Sequence, residues 1–138
     1  MGKENVLIVD DDEIYLYLIQ RVLRELSNGV EIYTSTDGEQ ALDFIRKCDE
    51  DKQLAPKVIL LDVNMPFLDG WGFLDEFKKL KVNFDDKIFI YLVTSSEMPA
   101  DKKRALEYEE LTGYIVKPIS EKKLSGMLTE VFSEMRTQ

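Results

Sequence analysis

The sequence predicts an α/β fold: one parallel sheet of five strands, covered on both faces by helices. Three observations predict it. Five short apolar runs alternate along the chain with five helix-patterned segments, and that alternation marks strand–crossover–strand units. The runs are apolar throughout rather than at every second residue, as strands buried on both faces must be. Polar residues suited to chemistry stand directly after the runs, where sheets of this kind gather ligands.

The first run, NVLIV at 5–9, reads as a buried strand. EIYLYLIQRVLREL at 13–26 follows as a helix, and SNG at 27–29 ends it through its glycine. VEIYT at 30–34 is the second strand. Asp37 is placed to cap the next helix, with Gln40 three residues on, and Ala41, Leu42 and Ile45 share one face. CDEDKQLAP at 48–56 reads as a polar loop, and KVILL at 57–61 as the third strand. Phe73, Leu74, Phe77 and Leu80 mark the third helix; KIFIYLV at 87–93 is the fourth strand. Pro99 suits the first turn of a helix running to about Glu109. GYIV at 113–116 is a short fifth strand. Ser120 then caps a last helix whose apolar stripe is Leu124, Leu128, Val131, Phe132 and Met135.

Composition narrows the function. A chain of 138 residues with 44 % apolar residues suits one domain with a real core. The net charge of −9 argues against nucleic acid as a ligand, because phosphate backbones are bound by clustered Lys and Arg. No apolar run is long enough to span a bilayer, and the start lacks a basic-then-apolar signal pattern. MGKENV begins like a myristoylation site, but Val6 stands where Ser or Thr is required. The expectation is a cytoplasmic protein bound to neither membrane nor nucleic acid. Cys48 is the only cysteine and there is no histidine. That excludes an internal disulfide, a cysteine or histidine metal site, and Ser–His or Cys–His catalysis. Any chemistry must use carboxylates, hydroxyls and lysines.

Those groups fall at strand ends. Asp10 and Asp11 follow the first strand, Asp62 the third, Thr94 and Ser95 end the fourth, and Lys117 follows the fifth. Taken singly, each has a plain alternative. VDDD at 9–12 can be a solvated turn, with Asp12 a helix cap; Asp62 can cap the turn at Asn64–Pro66; Lys117 can be a surface lysine. Taken together, three neighbouring acids repel and raise each other's pKa, so something positive must offset them. Hard oxygen ligands with room for water suit magnesium.

These residues resemble the receiver domain of two-component response regulators, of the stand-alone, chemotaxis-regulator-like type. The motifs run the length of the chain: VDDD after the first strand, LLDVNMPFLDG around the third, VTSS after the fourth and GYIVKP at the fifth. The resemblance implies a flavodoxin-like, doubly wound sheet of order 2-1-3-4-5, an order for which a chemotaxis receiver is a standing example. It implies that Asp62 is the phosphoacceptor. It implies Mg2+ held by Asp10, directly or through water, by Asp11 and Asp62, and by the backbone carbonyl of Asn64. Thr94 and Lys117 are implied to hold phosphoryl oxygens, Thr94 and Tyr114 to form the switch, and Asn64 and Ser96 to tune the phosphoryl lifetime. It further implies a cis Lys117–Pro118 bond.

The implied function is a signalling phosphoacceptor rather than an enzyme, one that either switches conformation to signal to a partner or relays the phosphoryl group between phosphohistidine proteins. Its implied partners are a histidine kinase or histidine phosphotransfer protein and a downstream target left unnamed, with a monomer favoured. Only MRTQ follows the last helix, so the expectation is a single receiver over 1–138 with no output domain. Ile14 to Ile19 are six consecutive apolar residues, more than one helix face can bury. Some of Ile14, Leu16 and Tyr17 are expected to be exposed, either as surface stems or as a docking face for the kinase.

Two rivals use other residues. Asp10-x-Asp12 after an apolar strand is the nucleophile pattern of haloacid-dehalogenase-type phosphatases. That reading lacks the late acidic pair after Lys117 and leaves LLDVNMPFLDG unexplained. A degenerate flavodoxin-like interaction module is the other, and it requires a missing site residue; none is missing. A flavin carrier is weaker, for want of a Ser/Thr/Gly-rich phosphate loop after the first strand.

Overall fold

The computed structural model describes residues 4–26, 29–80 and 87–136, with side chains as far as 131. Ser27 and Asn28, part of the expected helix stop, and the side chains of Phe132 and Met135 lie outside the described residues. Five strands, β1 (Glu4–Val9), β2 (Val30–Ser35), β3 (Val58–Leu61), β4 (Phe89–Thr94) and β5 (Leu111–Val116), alternate with five helices. The helices are α1 (Glu13–Leu26), α2 (Gly38–Glu50), α3 (Gly70–Lys79), α4 (Pro99–Ala105) and α5 (Glu121–Arg136). The strands form one parallel sheet in the expected order, β2-β1-β3-β4-β5.

Alternation of side chains along each strand divides the core in two. Val6 and Ile8 of β1 point to the face covered by α1 and α5, where Leu16, Leu23, Leu124 and Leu128 meet them. Leu7 and Val9 point to the opposite face, where Leu42 and Ile45 of α2 and Phe73 and Leu74 of α3 close the layer. A strand that is apolar at every position is therefore needed at the centre. At the edge, β2 buries only Val30 and Ser35 fully and leaves Glu31 and Thr34 exposed.

Strand β4 starts two residues later than expected, at Phe89, and β5 two residues earlier, at Leu111. Two helix ends differ more. The region expected to be a loop from Cys48 begins inside α2, which runs to Glu50. Cys48 extends the stripe of Ala41 and Ile45 by one more turn and is buried, so packing holds the helix there. A single 3-10 turn over Lys52–Leu54 follows, capped by Asp51. In the other direction, α4 stops at Ala105, well short of Glu109. The chain then tightens into turns bonded three residues apart, Leu106 N to Lys103 O and Tyr108 N to Ala105 O. This brings Tyr108 inward to stack on Trp71 and to donate its hydroxyl proton to Asp75 at 2.9 Å.

Caps fall where the residues suggested. Asp37 accepts from Gln40 N, and Ser120 accepts from Lys123 N. The Gln40 side chain reaches back to the N–H of Thr36.

The sheet also explains why the site lies where it does. The first crossover takes the chain from β1 to β2 on one side, and the later strands build outward on the other. A crevice opens where the direction reverses, beyond the ends of β1 and β3. Val9 pairs with Leu61 in register, so the next residues, Asp10 and Asp62, emerge side by side. Thr94 pairs with Val116, which delivers Lys117 beside the end of β4.

Candidate functional site

Asp10 is almost fully buried, and both of its oxygens are engaged. Oδ1 accepts the N–H of Asp12 at 2.9 Å, and Oδ2 accepts from Lys117 Nζ at 2.6 Å. Asp12 itself acts as the expected helix cap, accepting from the N–H groups of Ile14 and Tyr15. Asp62 is buried on the adjoining strand, with Oδ1 3.7 Å from the same Lys117 ammonium. Burial, reinforced by the Asp10 carboxylate, pushes the Asp62 carboxyl up to about 6. The Lys117 charge and the N–H of Val63 pull it back, and Asp11 adds a small upward push.

Asp11 is exposed at the mouth of the crevice. Asp10, Asp11 and Asp62 each offer one carboxylate oxygen, and these lie within 4.8 Å of one another. Three convergent hard oxygens, one of them open to solvent, fit a dication that keeps part of its water shell. The lysine already among them shows how strongly the site calls for positive charge.

The remaining expected residues surround this cluster. Thr94 is fully buried at the end of β4, where its Oγ1 accepts the N–H of Ser96 at 3.2 Å. Its carbonyl accepts the N–H of Lys117 at 2.8 Å, which ties β5's end to β4's. The Ser96 hydroxyl donates to Asp101 Oδ2 and accepts from Met98 N. Tyr114 donates its hydroxyl proton to the Ser96 carbonyl at 2.8 Å. Its ring lines an open groove with Pro99, Leu106 and Val116. Asn64 stands exposed in the turn after Asp62. The Lys117–Pro118 bond is cis, as the resemblance implied.

Two glycines make the turn after β3 possible. A Cβ at Gly70 would run into the carbonyl oxygen of Asp62, and one at Gly38 would meet the Leu68 carbonyl at 2.5 Å. In the same turn Phe67 has φ 66°, a left-handed backbone that costs a bulky residue energy.

On α1 the docking expectation needs one correction. Ile14 and Tyr17 are exposed, by 74 % and 60 %, but Leu16 is core, with only 5 % of its surface accessible. Leu16, Ile19 and Leu23 share the stripe that faces the sheet, at helical spacings of three and four. Leu18, which the sequence did not single out, is exposed instead.

A second omission is Tyr15. Its ring lies under the Lys117 ammonium, 4.3 Å from Nζ to the ring centroid. Burial, with the charges of Asp10 and Asp62, raises the phenol pKa above its ordinary range. The only sequence signal was its place one turn after the acids, and helix residues at such positions are common.

Comparison with known proteins bears on the whole arrangement. Residues 6–129 match the family described as the response regulator receiver domain. This chain belongs to that family. Among curated proteins, it is 34 % identical over 129 residues to a probable transcriptional regulator ycf27 of Guillardia theta. That alignment covers 94 % of this chain and 45 % of the relative. The chain spans less than half the length of the first curated relatives it matches. Among solved structures, a two-component response regulator from Cytophaga hutchinsonii superposes with a TM-score of 0.83 at 28 % identity. That match covers 96 % of this chain and 99 % of the other. A second, from Legionella pneumophila, gives 0.79 at 29 % identity and covers 95 % and 99 %. Receiver domains are signalling domains, phosphorylated by histidine kinases or phosphotransfer proteins. Among the described residues, no helix is long and apolar enough to cross a membrane.

Proposed function

We propose that this receiver domain accepts a phosphoryl group on Asp62 and relays the change to a partner protein. The observation that carries the proposal is the convergence of Asp62 with Asp10, Asp11 and Lys117 at one crevice. An Asp62 carboxylate oxygen attacks the donor's phosphorus, a P–O bond forms as the bond to the leaving group breaks, and a mixed anhydride results. The chain's own contribution is position and charge. Lys117 donates to phosphoryl oxygens, and the Thr94 hydroxyl is placed at the neighbouring strand end to do the same. Asp10, Asp11 and Asp62 would hold magnesium with the Asn64 carbonyl, and the ion supplies positive charge for the transferring group.

The rival nucleophile is Asp10, and its geometry argues against it. Both of its oxygens already accept strong hydrogen bonds, and it is the more deeply buried of the two acids. Asp62 is the more accessible of the two, and its oxygen nearest Lys117 stands 3.7 Å from the ammonium. The same reasoning supports a signalling phosphoacceptor over a turnover phosphatase. The exposed stretch of Ile14, Tyr17 and Leu18 beside the crevice supports docking of the phosphodonor there, since an exposed apolar patch next to the acceptor favours a protein donor.

The test is to incubate the protein with phosphoramidate and magnesium and map the acid-labile adduct. Labelling at Asp62, abolished by Asp62→Asn, is the expected result. Labelling at Asp10 would overturn the reading and restore the phosphatase one. With a kinase as donor, polar replacement of Ile14 and Leu18 is expected to slow transfer and leave phosphoramidate labelling intact.

A further inference from the structure

Lys117 presents a physical problem that the motif residues leave unsolved. A lysine ammonium is a compact, strongly hydrated charge on a flexible four-carbon stem. To act on a phosphoryl group it must be held at one point, with little water. It has three N–H donors. One goes to Asp10 at 2.6 Å, and a second side faces Asp62 at 3.7 Å. The third side is closed by the ring of Tyr15 at 4.3 Å. The lysine side chain is accordingly only 18 % exposed.

Tyr15 is fixed there by the same turn that carries the acids. Asp12 caps α1 by accepting the N–H of Tyr15 at 3.1 Å, which sets the first helical turn directly after Asp10 and Asp11. The ring is partly buried against the core layer shared by α1 and α5. Its hydroxyl is buried and has no hydrogen-bond partner among the described residues. The polar end of the side chain is thus idle, and the working part is the ring face. A π-face attracts a cation, more strongly where water is excluded. It closes one side of the ammonium and leaves the side facing Asp62, whose nearest oxygen is 3.7 Å away, for a phosphoryl oxygen.

We infer that Tyr15 is a positioning residue for Lys117: its ring face seats the ammonium between Asp10 and Asp62, ready for the incoming phosphoryl oxygens. The inference rests on the proposed function and assigns a role to a residue outside the motifs. It separates ring from hydroxyl, and that makes it testable.

Tyr15→Leu keeps an apolar side chain of similar burial and removes the π-face; Tyr15→Phe keeps the face and removes the idle hydroxyl. With phosphoramidate and magnesium, Tyr15→Leu is expected to label Asp62 roughly tenfold more slowly, the size of one partly desolvated cation–π contact. Tyr15→Phe is expected to restore the parent rate. An unslowed Tyr15→Leu, or a Tyr15→Phe as slow as Tyr15→Leu, overturns the inference. NMR gives a second readout that general loss of packing does not mimic. The Lys117 ε-methylene protons are expected to be ring-current shifted upfield in the parent and in Tyr15→Phe, and to lose that shift in Tyr15→Leu. If Tyr15→Leu does not fold, the parent and Tyr15→Phe still decide, because absence of the upfield shift in either overturns the inference. Failure of the function reading looks different: the parent itself then takes no phosphoryl group on Asp62, while the ring-current test of Tyr15 stands unaffected.

Discussion

Lys117 and Asp10, 107 residues apart in sequence, meet at 2.6 Å inside the crevice. The carboxylate is almost fully buried and the ammonium mostly so. Removing one partner of such a pair strands the other charge. Lys117→Met keeps the stem and deletes the charge, leaving Asp10 and Asp62 facing each other. It is expected to lower unfolding stability by roughly 2–3 kcal/mol at neutral pH, measured by urea denaturation. A loss of only a few tenths would show that the pair is not the site's charge balance.

Magnesium is expected to stabilise the folded chain, because an ion that binds only the native state adds RT ln(1 + [L]/Kd). Thermal unfolding with and without millimolar magnesium measures it. Asp11→Asn removes one charged oxygen from the three that converge and is expected to shrink the magnesium-dependent rise in Tm. An undiminished rise in Asp11→Asn would assign the ion elsewhere.

Much of this arrangement was legible in the sequence because it follows from strand order. Asp10, Asp62, Thr94 and Lys117 each follow or end an apolar run, and a parallel sheet brings such ends together. What escaped depends on angles around a helix or on tertiary packing. Leu16 and Leu18 are both leucines in one apolar run, and only the direction of the sheet makes one core and the other surface. Tyr15 meets Lys117 across a hundred residues, with no local pattern to announce it. The early end of α4 is set by Tyr108 turning in to Trp71 and Asp75, a contact invisible to helical periodicity. The extension of α2 was missed because charged neighbours hid the buried side of Cys48.

Cys48 gives a pH-dependent prediction. Burial, aided by Asp51 and partly offset by Lys52, pushes its thiol up to about 11 from an ordinary 9.0. Below pH 9 both folded and unfolded chains keep the proton, and the thiol adds no pH dependence. Between 9 and 11 the unfolded chain releases it first, so the native state binds more protons and stability falls as pH rises. Comparing parent with Cys48→Ala cancels the other titrating groups. The parent is expected to lose on the order of 2 kcal/mol more than the variant between pH 8.5 and 11. Parallel curves would mean that the thiol is freely hydrated.

Gly70 and Gly126 are expected to respond oppositely to alanine. At Gly70 the new methyl meets backbone, the Asp62 carbonyl and the Val63 Cα, which cannot swing aside. Gly70→Ala is expected to cost roughly 2 kcal/mol or more and to slow phosphoryl uptake, because the displaced backbone carries Asp62. At Gly126, within α5, a Cβ meets nothing within 4 Å. Gly126→Ala is expected to add roughly 0.5–1 kcal/mol through helix propensity alone. Chemical denaturation of the two variants checks both signs.

The last prediction concerns how the proposed phosphorylation of Asp62 would be felt at the surface. Thr94 Oγ1 holds the N–H of Ser96, and the carbonyl of the same Ser96 holds the Tyr114 hydroxyl. One residue therefore connects the buried strand end to the ring that lines the open groove beside α4. A phosphoryl anion on Asp62 offers the Thr94 hydroxyl a charge-assisted hydrogen bond, worth roughly 1.5–3 kcal/mol. Drawing Thr94 towards it pulls on Ser96 and loosens the seat of Tyr114. A bias of that size shifts a balanced two-state equilibrium by roughly ten- to a hundredfold. Thr94→Ala removes the acceptor for the Ser96 N–H; it is expected to accept the phosphoryl group more slowly and to show no further Tyr114 shift when the group is added. NMR of the Tyr114 ring, with and without a stable phosphoryl mimic at Asp62, is the measurement. If Thr94→Ala shows the parent's full ring shift, the coupling does not pass through Thr94.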